Sequence, residues 1–376
     1  MKLRIRSLPA RGGDNPYVEL FYDALEAHEV ELVGPLELDL EWLAEHLDTF
    51  DAIHLHWPEH ILARYAPPWL DRVRGVNIRG SWRVSKHLEH VFSSQVKRAR
   101  VKWLESVLKF LRTHQKKIIW TWHNHVSHNS KTRLGSDVYS VLLGHADLVI
   151  FHSHWSEKMC REAYPIETDT VVMMHGNYDG VYPPPRQKDV VAKDLTLDPE
   201  QPIVGCLGNI RSYKGIDLVC RAIGSSDKPV QFLCAGDPHA EFDLDALKIE
   251  FKTLKGAVLL PRRISDQEFS DFTNLCDIIL LPYRQITGSG ALLAALTLGR
   301  GVIASDLPFF REILGAKPMA GRLVEPENPN ALASAISDYL EVPPDLRQMA
   351  ARKLADLFRW DEVIKPVAEA LSRLKS

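Results

Sequence analysis

Residues 280–306 constrain this chain more than any other stretch. An apolar strand at 277–281 ends at Pro282. A loop rich in Gly, Ser and Thr follows, and then an Ala/Leu helix at about 289–298. Gly299 and Gly301 stop that helix, and Val302-Ile303-Ala304 starts a further strand. Strand, loop, helix and strand in succession are the unit of an α/β sheet. The loop also has a chemical meaning. A helix entered through Thr287, Gly288, Ser289 and Gly290 exposes free backbone N–H groups and the positive end of its dipole, which is a ready anion site. The same residues suit a plain connection in which Ser289 is only the N-cap.

The length of 376 residues implies two domains. A hydrophobic share of 45% and a charged share of 25% are ordinary for a globular chain. The net charge of -3 gives no pull toward nucleic acid. Five cysteines without a C-x-x-C pair read as buried thiols in a reducing compartment. The first residues open directly as a strand, no signal peptide is evident, and no apolar run reaches the length of a membrane span. A cytoplasmic protein is expected.

The alternation of strands and helices begins at residue 2. The loop after the first strand contains Gly12, Gly13 and Asp14, where glycines allow close approach to a ligand. The strands at 52–57, 117–122, 148–152 and 170–174 end in polar groups. His54 and His56 close the first, and His123, Asn124, His125 and His128 close the second. His152 and His154 follow the third, and His175, Gly176 and Asn177 follow the last. In a parallel sheet these ends fall on one edge, where open α/β sheets place their ligands. The spacing lacks H-E-x-x-H and C-x-x-C, so no metal site is expected.

Between residues 97 and 117, Lys97, Arg98, Arg100, Lys102, Lys109, Arg112, Lys116 and Lys117 stand against the single acid Glu105. Val101, Leu104, Leu108 and Leu111 recur there at helical spacing. Such a helix suits an anionic bilayer surface. It equally suits a core helix with a solvated basic face.

Tyr182-Pro183-Pro184-Pro185 reads as a stiff break. The pattern then restarts, with Ser265-x-x-Glu268 as a capping box for a helix reaching Leu275. Gly208, Asn209, Arg211, Lys214 and Gly215 follow a strand directly, giving two cations at a helix start. With the 287–290 loop they make two candidate phosphate loops in one domain. Neither domain has G-x-G-x-x-G after its first strand, which weighs against a nicotinamide or flavin enzyme.

The segments 206–215, 234–237, 280–306 and 321–340 resemble the donor-domain signature of GT-B glycosyltransferases of the glycogen-synthase-like type. His123-Asn124 and residues 175–179 resemble that family's acceptor-domain loops, and Phe358-Arg359-Trp360-Asp361 the start of its last helix. The resemblance implies two Rossmann-like, doubly wound α/β domains facing a cleft. Residues 1–182 would bind the acceptor, 183–357 a nucleotide diphosphate-sugar (UDP- or GDP-linked), and 358–376 would cross back to the first domain. Gly13, Gly208, Asn209, Tyr283 and Thr287 to Gly290 would surround the donor. Arg211 and Lys214 would stabilise the leaving diphosphate without a metal ion, and no other cofactor is implied. His123 would sit near the reactive sugar carbon, with Asn124, His125 and His175 on the acceptor side.

The family's Glu-x7-Glu pair is absent, since Ile286 and Ala294 occupy its places. This departure resembles divergent enzymes of bacterial exopolysaccharide assembly, and it leaves the stereochemical outcome open. An inverting reaction needs a base, for which Asp14, His123 and His125 are candidates. The expected acceptor is a lipid-linked saccharide at the anionic inner face of the cell membrane. A nucleotide-sugar 2-epimerase of the same architecture and a non-catalytic nucleotide-sugar binder are the alternatives.

Overall fold

The computed structural model describes residues 2–12, 15–58, 62, 65, 93–123, 134–225, 229–315 and 317–375. They form two compact units: Met1–Met174 with Ile364–Ser376, and His175–Val363. The second unit is one continuous run of chain. The first is interrupted by it.

The first unit holds six parallel strands: β1 (Leu3–Leu8), β2 (Val30–Pro35), β3 (Ala52–Leu55), β4 (Lys117–Trp122), β5 (Leu148–Phe151) and β6 (Asp169–Val172). Their order is β2-β1-β3-β4-β5-β6, so the winding reverses between β1 and β3. Strands β3 and β5 are buried along their whole length. That is what a parallel sheet covered on both faces requires. Helix Tyr17–Leu25 buries Tyr17, Val18, Phe21, Tyr22 and Leu25, a stripe at helical spacing.

The basic segment forms helix Ser93–Thr113. Its apolar side chains Leu104, Val107, Leu108 and Leu111 are fully buried against Trp120, Trp122 and Tyr139. The apolar stripe is therefore the core face, and only the basic face meets solvent. Arg98, Lys102, Lys109 and Arg112 are exposed there. Trp103 stacks on Tyr65 at 4.6 Å, and Arg100 donates to the Tyr65 carbonyl at 2.9 Å.

The second unit holds β7 (Ile203–Leu207), β8 (Gln231–Ala235), β9 (Ala257–Leu260), β10 (Ile278–Leu281), β11 (Gly301–Ser305) and β12 (Gly321–Val324). All are parallel, in the order β12-β11-β10-β7-β8-β9. This is the Rossmann strand order, with its reversal between β7 and β10. The expected capping box is present. Ser265 and Glu268 satisfy each other's backbone at the start of helix Asp266–Leu275.

The proline run does not divide the units. Its carbonyls have no local donors and dock on that same helix. Pro183 O accepts from Ser270 Oγ at 2.6 Å, Pro184 O accepts from Gln267 Nε2 at 3.0 Å, and Tyr182 stacks on Phe269 at 4.7 Å. The chain leaves the first unit earlier, after Met174, and re-enters it at Ile364. The two passages are joined inside the second unit. Asn177 N donates to Phe358 O at 2.7 Å, Trp360 Nε1 donates to Asn177 O at 2.8 Å, and Gly176 lies under the Trp360 ring, where a Cβ would not fit. Helix Lys365–Lys375 then packs on β6 of the first unit.

Candidate functional site

The reversal between β7 and β10 places their following loops side by side. After β7 the chain turns at Gly208 (φ 91°) and forms a short 3-10 turn, Ser212–Lys214, which ends at Gly215 (φ 66°) before helix Ile216–Gly224. Both values favour glycine. Close packing adds a second reason at Gly215, where a Cβ would run into the Pro282 carbonyl of the β10 loop. Gly236, at the end of β8, presses in the same way on the Gly208 carbonyl. The loop is fixed between its two neighbours.

Arg284 holds the turn from the β10 side. Its backbone N donates to Tyr213 O at 2.7 Å and its Nη1 to Ser212 O at 2.8 Å. The rest of the guanidinium is taken by Asp217 at 2.7 Å and Glu327 at 3.0 Å. Two cations remain uncommitted. Arg211 and Lys214 are half-buried, and among the described residues neither side chain forms a hydrogen bond or ion pair. The Lys214 ammonium lies 5.7 Å from the Tyr283 ring centroid, and a Cβ on Gly208 would come within 3.6 Å of it. Burial pushes its pKa down to about 8. Arg211 adds to that shift, and the buried thiols Cys206 and Cys234 oppose it. A cation held out of water without a partner is poised for an anion.

The other loop caps its helix. Ser289 is buried and caps helix Gly290–Thr297, its Oγ accepting from Leu292 N at 3.2 Å. Gly288 faces open space, with nothing within 4 Å of where a Cβ would stand. The remaining N–H groups of the first turn are thus approachable across Gly288. Asn209 is exposed at the rim of the β7 loop.

In the first unit, imidazoles gather at the C-terminal ends of β3, β4 and β5. His54 Nδ1 pairs with the Tyr22 hydroxyl at 2.8 Å and its Nε2 with Thr121 Oγ1 at 2.8 Å. His56 Nδ1 meets His123 Nε2 at 3.0 Å. His152 Nδ1 donates to Met173 O at 3.0 Å. His54 falls to about 3, chiefly through burial and then through His152, so it stays neutral. Trp57 stacks on His123 at 4.3 Å, and Tyr17 meets it edge-on at 5.0 Å. Among the described residues no group of His, Cys, Asp or Glu is arranged to hold a metal ion.

Residues 201–342 match the family model described as glycosyl transferases group 1. The chain is 25% identical over 232 residues to a lipopolysaccharide core biosynthesis mannosyltransferase of Rhizobium meliloti, covering 54% of this chain and 63% of that one. It is 22% identical over 301 residues to a GDP-mannose:glycolipid 4-beta-D-mannosyltransferase of Xanthomonas campestris, covering 77% and 69%. Among solved structures, the sucrose-phosphate synthase of Thermosynechococcus elongatus superposes with a TM-score of 0.68 at 19% identity, over 99% of each chain. HepE of Anabaena, solved in complex with UDP, superposes with a TM-score of 0.67 at 16% identity, over 99% of this chain and 100% of that one. The fold is that of these GT-B structures, and residues 201–342 carry the match to the group 1 glycosyl transferases.

Apolar residues occupy both places of the glutamate pair. Ala294 is buried within helix Gly290–Thr297, and Ile286 is half-buried. The expected donor-side residues Gly208, Asn209, Arg211, Lys214, Tyr283 and Thr287 to Gly290 all lie at the β7 and β10 ends of the second unit. His123 lies in the first. His175 belongs to the second unit, half-buried, with its Nδ1 bonded to Gly176 O at 2.7 Å and its ring against Tyr178 and Trp360. Burial takes its pKa down to about 4. Gly13, Asp14, Asn124 and His125 lie outside the described residues. Sequence reasoning missed Arg284 as the clamp of the cation loop. It also missed the pairing of His56 with His123, which needs the β3–β4 register to be seen.

Proposed function

We propose that this glycosyltransferase moves a hexosyl group from a nucleoside diphosphate-sugar to a glycolipid acceptor of bacterial surface-glycan assembly. The observation that carries the donor half is Lys214, a half-buried ammonium whose side chain has no hydrogen bond or ion pair among the described residues, on a loop packed against the β10 loop that leads to Gly288. In this reading Arg211, Lys214 and the helix N-terminus hold the diphosphate, with Gly208, Asn209, Tyr283 and Thr287 to Gly290 around it. The bond between the anomeric carbon and the phosphate oxygen breaks, and its electron pair stays on the diphosphate. Both cations act most strongly on that growing charge. The acceptor hydroxyl oxygen forms the new bond. Its proton passes to a base if the configuration inverts, for which Asp14, His123 and His125 are the candidates, or to the leaving phosphate if it is retained.

The acceptor half draws on relatives named for lipopolysaccharide core and glycolipid mannosyl transfer. GDP-mannose is accordingly the first donor to test. Attachment to an anionic inner membrane face belongs to the same proposal. It would be electrostatic, through Arg98, Lys102 and their neighbours, because the apolar side of that helix is spent in the core.

The test is titration with GDP and UDP, followed by incubation with labelled GDP-mannose or UDP-glucose, with and without membrane lipid extract. Label transferred to lipid only in the presence of extract supports the proposal. Donor epimerised without extract, or nucleotide bound and no donor consumed, overturns it.

A further inference from the structure

His56 has no exposed surface, and it approaches one polar partner. Its Nδ1 lies 3.0 Å from His123 Nε2, while its Nε2 is buried with no hydrogen-bond partner among the described residues. Burial first, and then His54, His123 and His152, hold its pKa well below the ordinary value, so the ring is neutral. A single proton lies between the two facing nitrogens, and two arrangements exist. If His123 Nε2 donates, neutral His56 must carry its own proton on Nε2, a buried N–H without an acceptor. If His56 Nδ1 donates, its Nε2 keeps only a bare lone pair. Orphaned buried donors are the rarer and costlier of the two. The second arrangement therefore prevails, and it occupies the His123 Nε2 lone pair.

We infer that His56 is a positioning residue that fixes neutral His123 in the tautomer protonated on Nδ1, with its Nε2 lone pair occupied, so that His123 is not the base of the reaction. The ring is held in this pose from three directions: His56 at Nε2, Trp57 across its face at 4.3 Å, and Tyr17 edge-on at 5.0 Å. Neither nitrogen then has a lone pair to take a proton, since Nδ1 carries one and Nε2 accepts one. That a base is needed at all rests on the sugar-transfer reading; the tautomer does not.

The tautomer is read directly on the ligand-free full chain carrying 15N-labelled histidine, by long-range 1H–15N correlation. The expected spectrum has His123 Nδ1 and His56 Nδ1 protonated and His123 Nε2 bare. A protonated His123 Nε2 overturns the inference, whatever becomes of the catalytic proposal. Two variants read the consequence. His56→Asn keeps an N–H donor where Nδ1 stood and should retain kcat. His56→Leu removes the donor and should lower kcat, on the order of 10²-fold, with a smaller change in donor KM. Equal losses in the two variants overturn the positioning role.

Discussion

If Lys214 holds the diphosphate as proposed, nucleotide binding is proton-linked, and the linkage can be worked from its surroundings. Burial holds the free-state pKa at about 8, against an ordinary 10.5. A bound diphosphate beside the ammonium raises that value, because it stabilises the charged form. Affinity should therefore be full below pH 8 and fall as pH rises through it. The protonated fraction is about nine-tenths at pH 7, about half at pH 8 and about one-tenth at pH 9, so affinity should drop about tenfold from pH 7 to pH 9. The buried thiols beside it do not titrate in this window. Burial pushes Cys234 up to about 12 and Cys206 well above its ordinary value. Calorimetry in two buffers of different ionisation enthalpy should detect uptake of about half a proton per nucleotide at pH 8.

Lys214→Arg is the control, since its guanidinium stays charged and its binding curve should be flat. The ligand-free chain should show the opposite trend. With the folded pKa below the unfolded one, the unfolded chain binds more protons between about pH 8 and 10.5, so this group's contribution to stability rises with pH there. An affinity that does not change from pH 7 to pH 9, or an equal slope in Lys214→Arg, would refute the reasoning.

The remaining predictions are mutational. Gly288→Leu puts a side chain into open space at the helix start, so nucleotide affinity should fall while the melting temperature holds; unchanged affinity would reduce the loop to a cap. Ser289→Ala loses the cap at a buried position and should cost about 1 kcal/mol, seen as a lower urea midpoint. Arg284→Ala frees the Ser212 carbonyl and the turn carrying Lys214, so nucleotide affinity should fall roughly tenfold or more in titration, although Arg284 is not assigned to the ligand. Arg98→Gln with Lys102→Gln should weaken binding to anionic vesicles by about 1 kcal/mol per charge and leave nucleotide binding unchanged; equal sedimentation of the variant would exclude this face.

Local signals carried far in this chain. Helix Tyr17–Leu25, the Ser265–Glu268 capping box and the strand-loop-helix around Gly288 were all legible, because each is specified by neighbouring residues. What failed was non-local. The periodicity of helix Ser93–Thr113 shows that one face is apolar but not what covers it, and the sheet of its own unit does. The proline run has the stiffness of a linker, yet its carbonyls find donors on a helix more than 80 residues later. His56 and His123 are 67 positions apart and meet only because β3 and β4 are neighbours in register. Arg284 and Asp217 are likewise 67 positions apart.

The interrupted course of the first unit bears on how the chain is made. Its sheet is synthesised early, but Val367, Ala368, Ala370 and Leu371, which close its apolar surface, lie in a helix near residue 376. The second unit, continuous from His175 to Val363, is synthesised whole before that helix. During synthesis the later unit can complete its core first, while the earlier one waits with an uncovered apolar surface. A chain ended at Val363 and released should therefore yield to protease in its N-terminal portion and resist in its C-terminal one. That is the reverse of the order of translation.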